Sequence, residues 1–287
     1  RATDGLPYMS IALKETSRGL LGYAKRLRHM EFPTRFEHVM QVIHELILVP
    51  STILHGDLAP MHAASVADKQ GSIIITGTGG IGKSTSMLRY AGIGGYRFLS
   101  DDIAVIDAGG NSHLNWAWPK IYGYNATEKG IEEKLLAGRG FIDKTHWNLK
   151  SRLNPKSVRR KLNPSRLFHD SGNLIPNKAQ INKVLFVKHC YCDAPSLSKL
   201  TTAHAADLSL SVIETEYQVL MRVLEWDRYN SLACGIEPIV DIEGVRAKWH
   251  RVFRSALEAA DVNILRIPPG LSLEDAWGEQ WKFVNQR

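Results

Sequence analysis

The sequence lacks the features that mark membrane-spanning, disulfide-stapled and repetitive proteins. No apolar run approaches the roughly 18 residues that a membrane-spanning helix needs, and the first residues contain no apolar signal core. Three cysteines are an odd number without a framework, which favours a reducing compartment. There is no internal repeat and no low-complexity segment. We therefore expect a globular, cytoplasmic protein without a membrane partner, and its 287 residues suffice for one large domain.

The stretch IIITGTGGIGKSTSMLRY, residues 73–90, places an apolar β-branched run before a glycine-rich loop. The run predicts a buried strand, and the residues after Lys83 suit a helix. The loop fits G-x-x-x-x-G-K-[ST], in which backbone N–H groups surround a phosphate, the lysine reaches the outer phosphates and the hydroxyl holds a divalent cation. A chance match in a glycine-rich turn is the alternative, and it would not require a strand before the loop and a helix after it. The pattern predicts a nucleotide-phosphate site formed by Gly77, Thr78, Gly79, Gly80, Ile81, Gly82, Lys83, Ser84 and Thr85.

Two adjacent carboxylates, Asp101 and Asp102, precede a second apolar strand at 103–106. Neighbouring carboxylates repel each other, so a nearby cation explains the pair better than a turn that needs only one of them. Their distance from Lys83 along the chain allows one helix and a return to the sheet beside the loop. One carboxylate would suit Mg²⁺ and the other could accept a hydroxyl proton, as phosphoryl transfer requires. The alternative is a helix cap or an Asx turn.

The remaining hydrophobic pattern predicts an α/β protein with a mixed sheet. Apolar residues at helical spacing predict an amphipathic helix over 34–50, with Thr34 as its N-cap and Pro50 as its stop. The segments MHAASVA and GSIIITG predict a hairpin that leads into the loop. Further along the chain we expect a glycine turn and a third strand after residue 106, helices over 126–137 and 207–226, a strand over 182–192 and a closing strand–helix pair.

The net charge of +7 is unevenly spread. From residue 144 to 166 there are eight lysines and arginines and no acidic residue, interrupted by two Leu-Asn-Pro tripeptides that argue against one continuous helix. A solvated loop is one interpretation, and a docking surface for an anionic acceptor is the other. Both interpretations predict that Arg159, Arg160 and Lys161 are exposed.

In their order and spacing, MHAASVA, TGTGGIGKST, RFLSDDIAVI and WAWPKIYGY resemble the catalytic core of the HPr kinase/phosphorylase family, whose nucleotide site is related to that of phosphoenolpyruvate carboxykinase. The resemblance covers residues 50–125. It implies an α/β fold around a mixed sheet, ATP and Mg²⁺, and phosphoryl transfer to a hydroxyl, typically that of a serine. We accordingly divide the chain into a helical N-terminal segment, 1–50, and a P-loop kinase domain, 51–287, with a basic insertion near 139–170.

The resemblance also implies roles for individual residues. Lys83 would neutralise the transferring phosphoryl group, Ser84 would hold the metal and Asp101 would lie near it. Asp102 matches the proton acceptor, and His62 matches the histidine that precedes the loop. Judged by its surroundings alone, a histidine on an apolar strand is more often a packed core residue than a catalytic one.

Two departures limit what the resemblance implies. The signature E-x-R-G-x-G, tied to phosphate-driven dephosphorylation, is absent apart from GRG at 138–140, so we do not expect phosphorylase activity. The N-terminal domain of the bifunctional enzymes is not recognisable in the first 50 residues, so we do not expect HPr to be the substrate. The acceptor would be a serine of a protein or precursor peptide, or a small-molecule alcohol.

Other residues are less clearly marked. Transition-state charge usually needs more than one cation, so we expect a further basic residue from the later chain. Four basic residues could contact phosphate or substrate without any spacing that selects one: His55, Arg139, Arg222 and Arg228. Cys190 and Cys192 with His189 could be imagined as metal ligands, but no fourth ligand is evident and a structural strand is preferred.

Three functions are compatible with these patterns: an ATP-dependent hydroxyl kinase, a nucleotide-dependent switch or NTPase that engages an anionic partner through its basic segment, and a nucleic-acid-binding NTPase. The third is disfavoured because only Trp147 and Phe168 interleave with the basic run. The second function, the switch or NTPase, needs only one acidic residue to hold the metal, whereas Asp101 and Asp102 are adjacent in the sequence. The oligomeric state is left open, and a homo-oligomer is compatible with the sequence.

Overall fold

The computed structural model describes residues 34–115, 117–128, 130–168 and 177–285. Most of the predicted N-terminal segment, 1–33, and the end of the predicted basic insertion, 169–170, lie outside these ranges. The helices are α1 (Arg35–Ile43), α2 (Val49–Leu54), α3 (Lys83–Ile93), α4 (Ile131–Leu136), α5 (Phe141–Leu153), α6 (Pro164–Leu167), α7 (Thr202–Glu216), α8 (Gln218–Ala233), α9 (Ile242–Ala256) and α10 (Leu273–Asn285), with a π-helical turn at His44–Leu48 and a 3-10 turn at Asn125–Thr127. None of these helices is both long enough and apolar enough to cross a membrane.

The strands build one large mixed sheet and one small two-stranded antiparallel sheet. They are β1 (Leu58–Met61), β2 (Ala63–Ala67), β3 (Ser72–Thr76), β4 (Arg97–Ser100), β5 (Ala104–Asp107), β6 (Asn111–His113), β7 (Lys120–Tyr122), β8 (Arg159–Lys161), β9 (Lys178–His189), β10 (Ser196–Lys199) and β11 (Asp261–Ile267). The large sheet has the order β1-β5-β6-β9-β3-β2-β4, with β11 beside β9 and β10 beside β11, while β7 pairs with β8. Most pairings are antiparallel, and β9 is parallel to both β3 and β11. The predicted mixed α/β class and the predicted β2–β3 hairpin are therefore confirmed.

Alternating side chains of β3 enter two separate cores, one on each face of the sheet. Ile73 and Ile75 pack with residues of α3 and α10 on one face. Ile74 packs with Trp249 and Phe253 of α9 on the other face. Burial of both faces explains why this strand reads as a continuous apolar run. It also fixes the end of β3, from which the glycine-rich loop emerges.

The N-terminal helix begins as predicted and ends later than predicted. Thr34 caps α1 in a reciprocal capping box, in which its Oγ1 accepts a hydrogen bond from Glu37 N and the Glu37 carboxylate accepts one from Thr34 N, both at 3.2 Å. Pro50 does not stop the helix: the π-helical turn follows α1, and Pro50 lies in the first turn of α2. Proline is tolerated there because first-turn N–H groups have no partner within the helix.

Two of the predicted later helices are interrupted. Instead of one helix over 126–137, a 3-10 turn is separated from α4 by Gly130, whose φ is 75°. The helix predicted over 207–226 is split into α7 and α8 at Tyr217, whose φ of −105° and ψ of 28° are not helical. The predicted strand over 182–192 corresponds to β9, and the closing strand–helix pair corresponds to β11 and α10.

The basic tract is folded into regular elements. Its two Asn-Pro sequences break the chain as predicted, because α5 ends at Leu153 and α6 begins at Pro164. Between these helices β8 pairs antiparallel with β7. Of the three side chains of β8, the first is half-buried and the other two are buried.

The expectation that Arg160 and Lys161 are exposed is wrong, since both side chains are buried. Arg160 Nε donates to Asp143 Oδ1 at 2.8 Å, and its guanidinium lies 5.7 Å from the centre of the Trp147 ring. Lys161 Nζ donates to Trp118 O at 3.0 Å. These two of the eight basic side chains of the tract are thus bonded within the protein, one to a carboxylate and one to a backbone carbonyl.

Candidate active site

The glycine-rich loop connects β3 directly to α3, which begins at Lys83. Gly77 and Gly82 have φ values of 145° and 97°, which residues with a side chain rarely adopt. A Cβ at Gly77 would also lie 2.5 Å from Val187 O on β9. Glycine is therefore required for the loop to stay against the sheet while it leads into the positively polarised start of α3.

Lys83 lies inside the curve of the loop. Its Nζ donates to Gly77 O and to Thr78 O, both at 2.9 Å, and the side chain is buried. Burial lowers the pKa of Lys83, whereas the nearby charges of Asp102 and Glu216 raise it. A buried cation thus stands where the motif predicted one.

A carboxylate of the chain itself lies against the loop. Glu216, the last residue of α7, accepts a hydrogen bond from Gly79 N at 2.7 Å through Oε1. The same oxygen lies 3.5 Å from His62 Nδ1. Loops at helix N-termini bind anions because their N–H groups lack partners within the helix. The contact shows that Gly79 N–H points to a position that an anionic oxygen can occupy.

The two adjacent carboxylates have different surroundings. Asp101 is 3% exposed, and its Oδ1 accepts a hydrogen bond from Ser84 Oγ at 2.7 Å. Burial raises the pKa of Asp101 and the charge of Asp102 raises it further, while the hydrogen bond from Ser84 lowers it. The hydroxyl and the carboxylate predicted to hold a divalent cation are therefore in direct contact.

Asp102 faces the cleft and contacts three donors. Its Oδ2 lies 2.7 Å from both His44 Nε2 and Lys120 Nζ, and its Oδ1 lies 3.0 Å from His62 Nε2. Burial raises the pKa of Asp102, but the hydrogen bonds from both histidines and the charge of Lys120 outweigh it and hold the pKa well below its usual value. The side chain remains 30% exposed. Asp102 is therefore an ionised carboxylate that the cleft can reach.

The backbone of Asp102 is in the left-handed region, with a φ of 72°. Among the residues that the structure describes, it is the one non-glycine residue with a positive φ. Aspartate tolerates this region better than most residues, and such a conformation costs about 1–3 kcal/mol. The strand β2 holds the turn, because Ala63 N donates to Asp102 O at 3.1 Å. Strain of this kind is concentrated at functional sites.

A cleft of about 840 Å³ joins the loop and Asp102. The loop, Asp102 and Lys120 form its polar end. Tyr122 and Tyr124 also line the cleft, with ring centres 5.4 Å apart and planes nearly parallel. Apolar side chains from the start of α8 line the remaining wall. The cleft thus combines a charged end with an apolar one.

Three lining residues that were not predicted contact Asp102 or the loop backbone: His44, Lys120 and Glu216. His44 follows Met40 by four residues, so a histidine on the apolar face of the predicted helix was the available signal. Lys120 begins a short strand and Glu216 ends a helix, and no local pattern marks either as functional. A further basic residue was expected from the later chain without a named position, and Lys120 is a basic residue of the cleft beside Asp102.

Two loop residues contribute in different ways. Thr85 lines the cleft, and its Oγ1 accepts a hydrogen bond from Asn125 Nδ2 at 2.8 Å. The side chain of Ile81 packs into the core, so only its backbone is available to the cleft. The four basic residues considered from the sequence do not line the cleft: His55, Arg139, Arg222 and Arg228. Arg139 is instead bound to Glu37 and Asp143.

The described residues contain no group of three or more His, Cys, Asp or Glu side chains placed to hold a metal ion. Cys190 and Cys192, which were considered as metal ligands, contact each other with Sγ atoms 3.2 Å apart.

No protein-family model matches the chain, and a search of curated proteins finds no match. The geometry itself therefore carries the functional argument. It brings together an anion-binding loop, a buried cation, a hydroxyl–carboxylate pair and an accessible ionised carboxylate, which are the parts used in phosphoryl transfer.

Proposed function

We propose that this protein is an ATP-dependent kinase that transfers the γ-phosphoryl group to a hydroxyl of its acceptor. The observation that carries the proposal is the contrast between two neighbouring carboxylates beside one phosphate loop. Asp101 is bonded to Ser84, whereas Asp102 is ionised and reaches the cleft. A loop that only binds nucleotide needs the first carboxylate. The second suits a proton acceptor, and the resemblance to HPr kinase/phosphorylase over 50–125 points the same way.

The loop residues fit a nucleotide phosphate and Mg²⁺. Gly79 N–H already binds the anionic oxygen of Glu216, and Lys83 adds a cation beside the loop carbonyls. Ser84 and Asp101 would hold Mg²⁺, which prefers oxygen ligands and retains several waters. When bound, MgATP supplies the phosphoryl group, and its metal offsets the charge that develops on the phosphate oxygens.

Asp102 would orient the acceptor hydroxyl and accept its proton, while the hydroxyl oxygen bonds to the γ-phosphorus and the bond to ADP breaks. Its low pKa makes Asp102 a weak base, which suits a loose transition state in which the attacking oxygen is little bonded. Lys120 Nζ, 2.7 Å from Asp102 Oδ2, would lie beside the transferring group and offset its charge.

His44 and His62 would hold the Asp102 carboxylate in one orientation. Burial lowers the pKa of His44 more than the neighbouring Asp102 raises it, so His44 is neutral. A carboxylate only accepts hydrogen bonds, so the proton of His44 is on Nε2. In this role His62 donates a hydrogen bond to Asp102 rather than acting as a base, which agrees with its buried position between β1 and β2.

The alternative function, a nucleotide-dependent switch or NTPase that engages an anionic partner through the basic segment, has less support. Its docking surface would include Arg160 and Lys161, and both are buried. The same burial weakens the idea of a nucleic-acid partner, because phosphate backbones are bound by exposed lysines and arginines. A cytoplasmic location remains part of the kinase proposal.

Incubation with γ-labelled ATP, Mg²⁺ and a cell extract, followed by mass spectrometry of the labelled product, tests the proposal. We expect label on a hydroxyl of a protein, peptide or small molecule with the wild type, and no such label with Asp102→Asn. Asp193→Asn, a change of an exposed aspartate outside the cleft, serves as the matched control. Release of labelled phosphate without any labelled acceptor would favour the NTPase instead.

A further inference from the structure

Helix α8 is apolar on two faces. On one face Met221 and Leu224 are buried against the start of α9. A second face carries Val219, Val223 and Trp226, of which Trp226 is 61% exposed and Val219 is 72% exposed. A surface helix usually has one apolar face and a polar remainder. The second apolar face therefore fits an additional partner, while the first one anchors the helix to the fold.

The exposed face forms a continuous line that starts inside the cleft. Val219 and Val223 line the same cleft as Lys83 and Asp102, and Trp226 continues the line along the helix. Spacings of four and three residues place these side chains on one face. Tyr229 extends it, with its ring centre 6.5 Å from that of Trp226. We call Val219, Val223, Trp226 and Tyr229 the α8 stripe.

None of the residues of the basic tract, from which recognition of an anionic acceptor was expected, lines the cleft. The tract from which such recognition was expected has Arg160 and Lys161 buried and bonded within the protein. The four side chains of the α8 stripe, which borders the cleft, are uncharged. Arg222 is exposed on the same face, three residues after Val219 and four before Trp226, so the surface that leads to Asp102 is mainly apolar with one basic side chain.

We propose that the α8 stripe docks the acceptor, and that the acceptor is a polypeptide with bulky apolar side chains near its phosphorylated serine or threonine. This inference rests on the proposed kinase function. From Val219 to Trp226 the helix rises about 10 Å, a length that an extended peptide spans with about three residues. An acceptor confined to the cleft leaves Trp226 and Tyr229 uncovered. A peptide occupies the cleft and the stripe at once, which favours it over a partner that binds only the stripe.

Short synthetic peptides with one central serine provide the probe. Three peptide pools differ at the positions about three residues before and after the serine. The first pool carries Leu and Phe at these positions, the second carries Glu and the third carries Lys. Initial rates are measured with labelled ATP and Mg²⁺ for the wild type and for Trp226→Ser. Leu153→Ser is the control, because Leu153 is 74% exposed on α5 and lies outside both the cleft and the α8 stripe. Tyr229→Ser is a second test of the stripe.

We expect the Leu/Phe pool to have about a tenfold higher kcat/KM than the other pools, since aromatic and aliphatic anchors dominate such interfaces. Trp226→Ser and Tyr229→Ser should reduce this preference to about twofold through KM, whereas Leu153→Ser should keep it. Thermal stabilisation by MgATP should be the same in all of these proteins, because none of the three residues lines the cleft.

Several results would overturn the inference. A preference for the Glu pool, or equal losses in Trp226→Ser and Leu153→Ser, would exclude the stripe as the docking surface. MgATP binding with a labelled small molecule and no labelled peptide would remove the polypeptide acceptor but leave the kinase function intact. A wild-type dimer that Trp226→Ser converts to a monomer in mass photometry, with an unchanged peptide preference, would assign the stripe to a second copy of the chain. A wild type that MgATP does not stabilise would overturn both proposals.

Discussion

The glycine-rich loop and the basic tract both stand out in the sequence by their residue types, yet the loop faces the cleft whereas part of the tract is buried. In the loop, Lys83 and Gly79 N–H lie at the cleft, where an incoming anion can reach them. In the tract, Arg160 and Lys161 turn inward and are bonded to partners within the protein. The difference teaches that a density of positive charge does not by itself predict a binding surface. A backbone conformation that only glycine permits is the more reliable signal, because it acts locally.

The strongest test of the comparison removes the cation of the loop. Lys83→Ala should abolish phosphoryl transfer and reduce the thermal shift with MgATP toward the ligand-free value, because the outer phosphates lose their fixed positive charge. Lys69→Ala, an exposed lysine in the β2–β3 turn, is the control. Unchanged stabilisation by MgATP in Lys83→Ala would contradict the assignment of the loop.

The next effect separates the two carboxylates beside the loop. Asp102→Asn should lose on the order of 10² to 10⁴ in turnover, the usual contribution of a positioned base, while its MgATP affinity changes only a few fold. Asp101→Asn should instead require a higher Mg²⁺ concentration, because it changes the group bonded to Ser84. Steady-state kinetics across Mg²⁺ concentrations measure both. A reversed pattern would exchange the two roles, and normal turnover in both variants would end the kinase mechanism.

Within the tract, the predicted effect is on stability rather than on acceptor binding. Arg160→Gln should lower the free energy of unfolding by about 1.5–3 kcal/mol, because Asp143 would lose one of its two arginine partners and keep only Arg139. Arg152→Gln, at an exposed position on α5, should change it by less than about 0.5 kcal/mol. Urea unfolding measures both values. A raised acceptor KM in Arg160→Gln without a loss of stability would restore the docking interpretation.

A smaller effect is expected for a residue that contacts Asp102 from a distant element. His44→Phe keeps a ring but removes a hydrogen bond to a charged group, worth roughly 1.5–3 kcal/mol, so kcat should fall by about 10- to 100-fold. The pKa of Asp102 should rise without this donor, so the acidic limb of the kcat profile should move to higher pH. His44→Gln should restore part of the rate.

His38→Phe, on the exposed side of α1, is the control for His44→Phe. Equal rates and identical pH profiles for the two phenylalanine variants would show that His44 has no part in positioning Asp102. The KM for ATP should stay the same in both, since neither histidine contacts the loop.

The smallest effect is a pH dependence of stability in the tract. Burial, and then the charge of Lys120, lower the pKa of Lys161 from 10.5 to about 8. The unfolded chain therefore binds more protons than the folded one between these values, so Lys161 destabilises the fold fully below pH 8, and the penalty is lost as the pH rises to 10.5. The stability difference between Lys161→Met and the wild type should shrink over this window in urea titrations. A difference that does not vary with pH would mean that Lys161 keeps an ordinary pKa.

Local constraints explain which parts of the site could be predicted. Gly77 and Lys83 belong to a motif whose residues are close in sequence and whose backbone requires glycine, and β3 is an apolar run buried on both faces. His44 and Glu216 reach the site across 58 and 137 residues of chain, to Asp102 and Gly79, and no local pattern encodes such contacts. The exposure of Arg160 and Lys161 was wrongly predicted for the same reason: their partners come from other elements.

On the kinase proposal, the hydrogen bond between Glu216 and Gly79 makes nucleotide binding an exchange rather than an addition. A phosphate oxygen and Glu216 Oε1 compete for one N–H, so the apparent Kd for ATP equals the intrinsic Kd divided by the fraction of molecules in which Glu216 has moved away. Glu216 ends α7, and α8 begins two residues later, next to the first residue of the α8 stripe. Displacement of this carboxylate would therefore shift the start of α8 and with it the α8 stripe, where we propose that the acceptor docks. We expect the two substrates to bind in a fixed order, with ATP first.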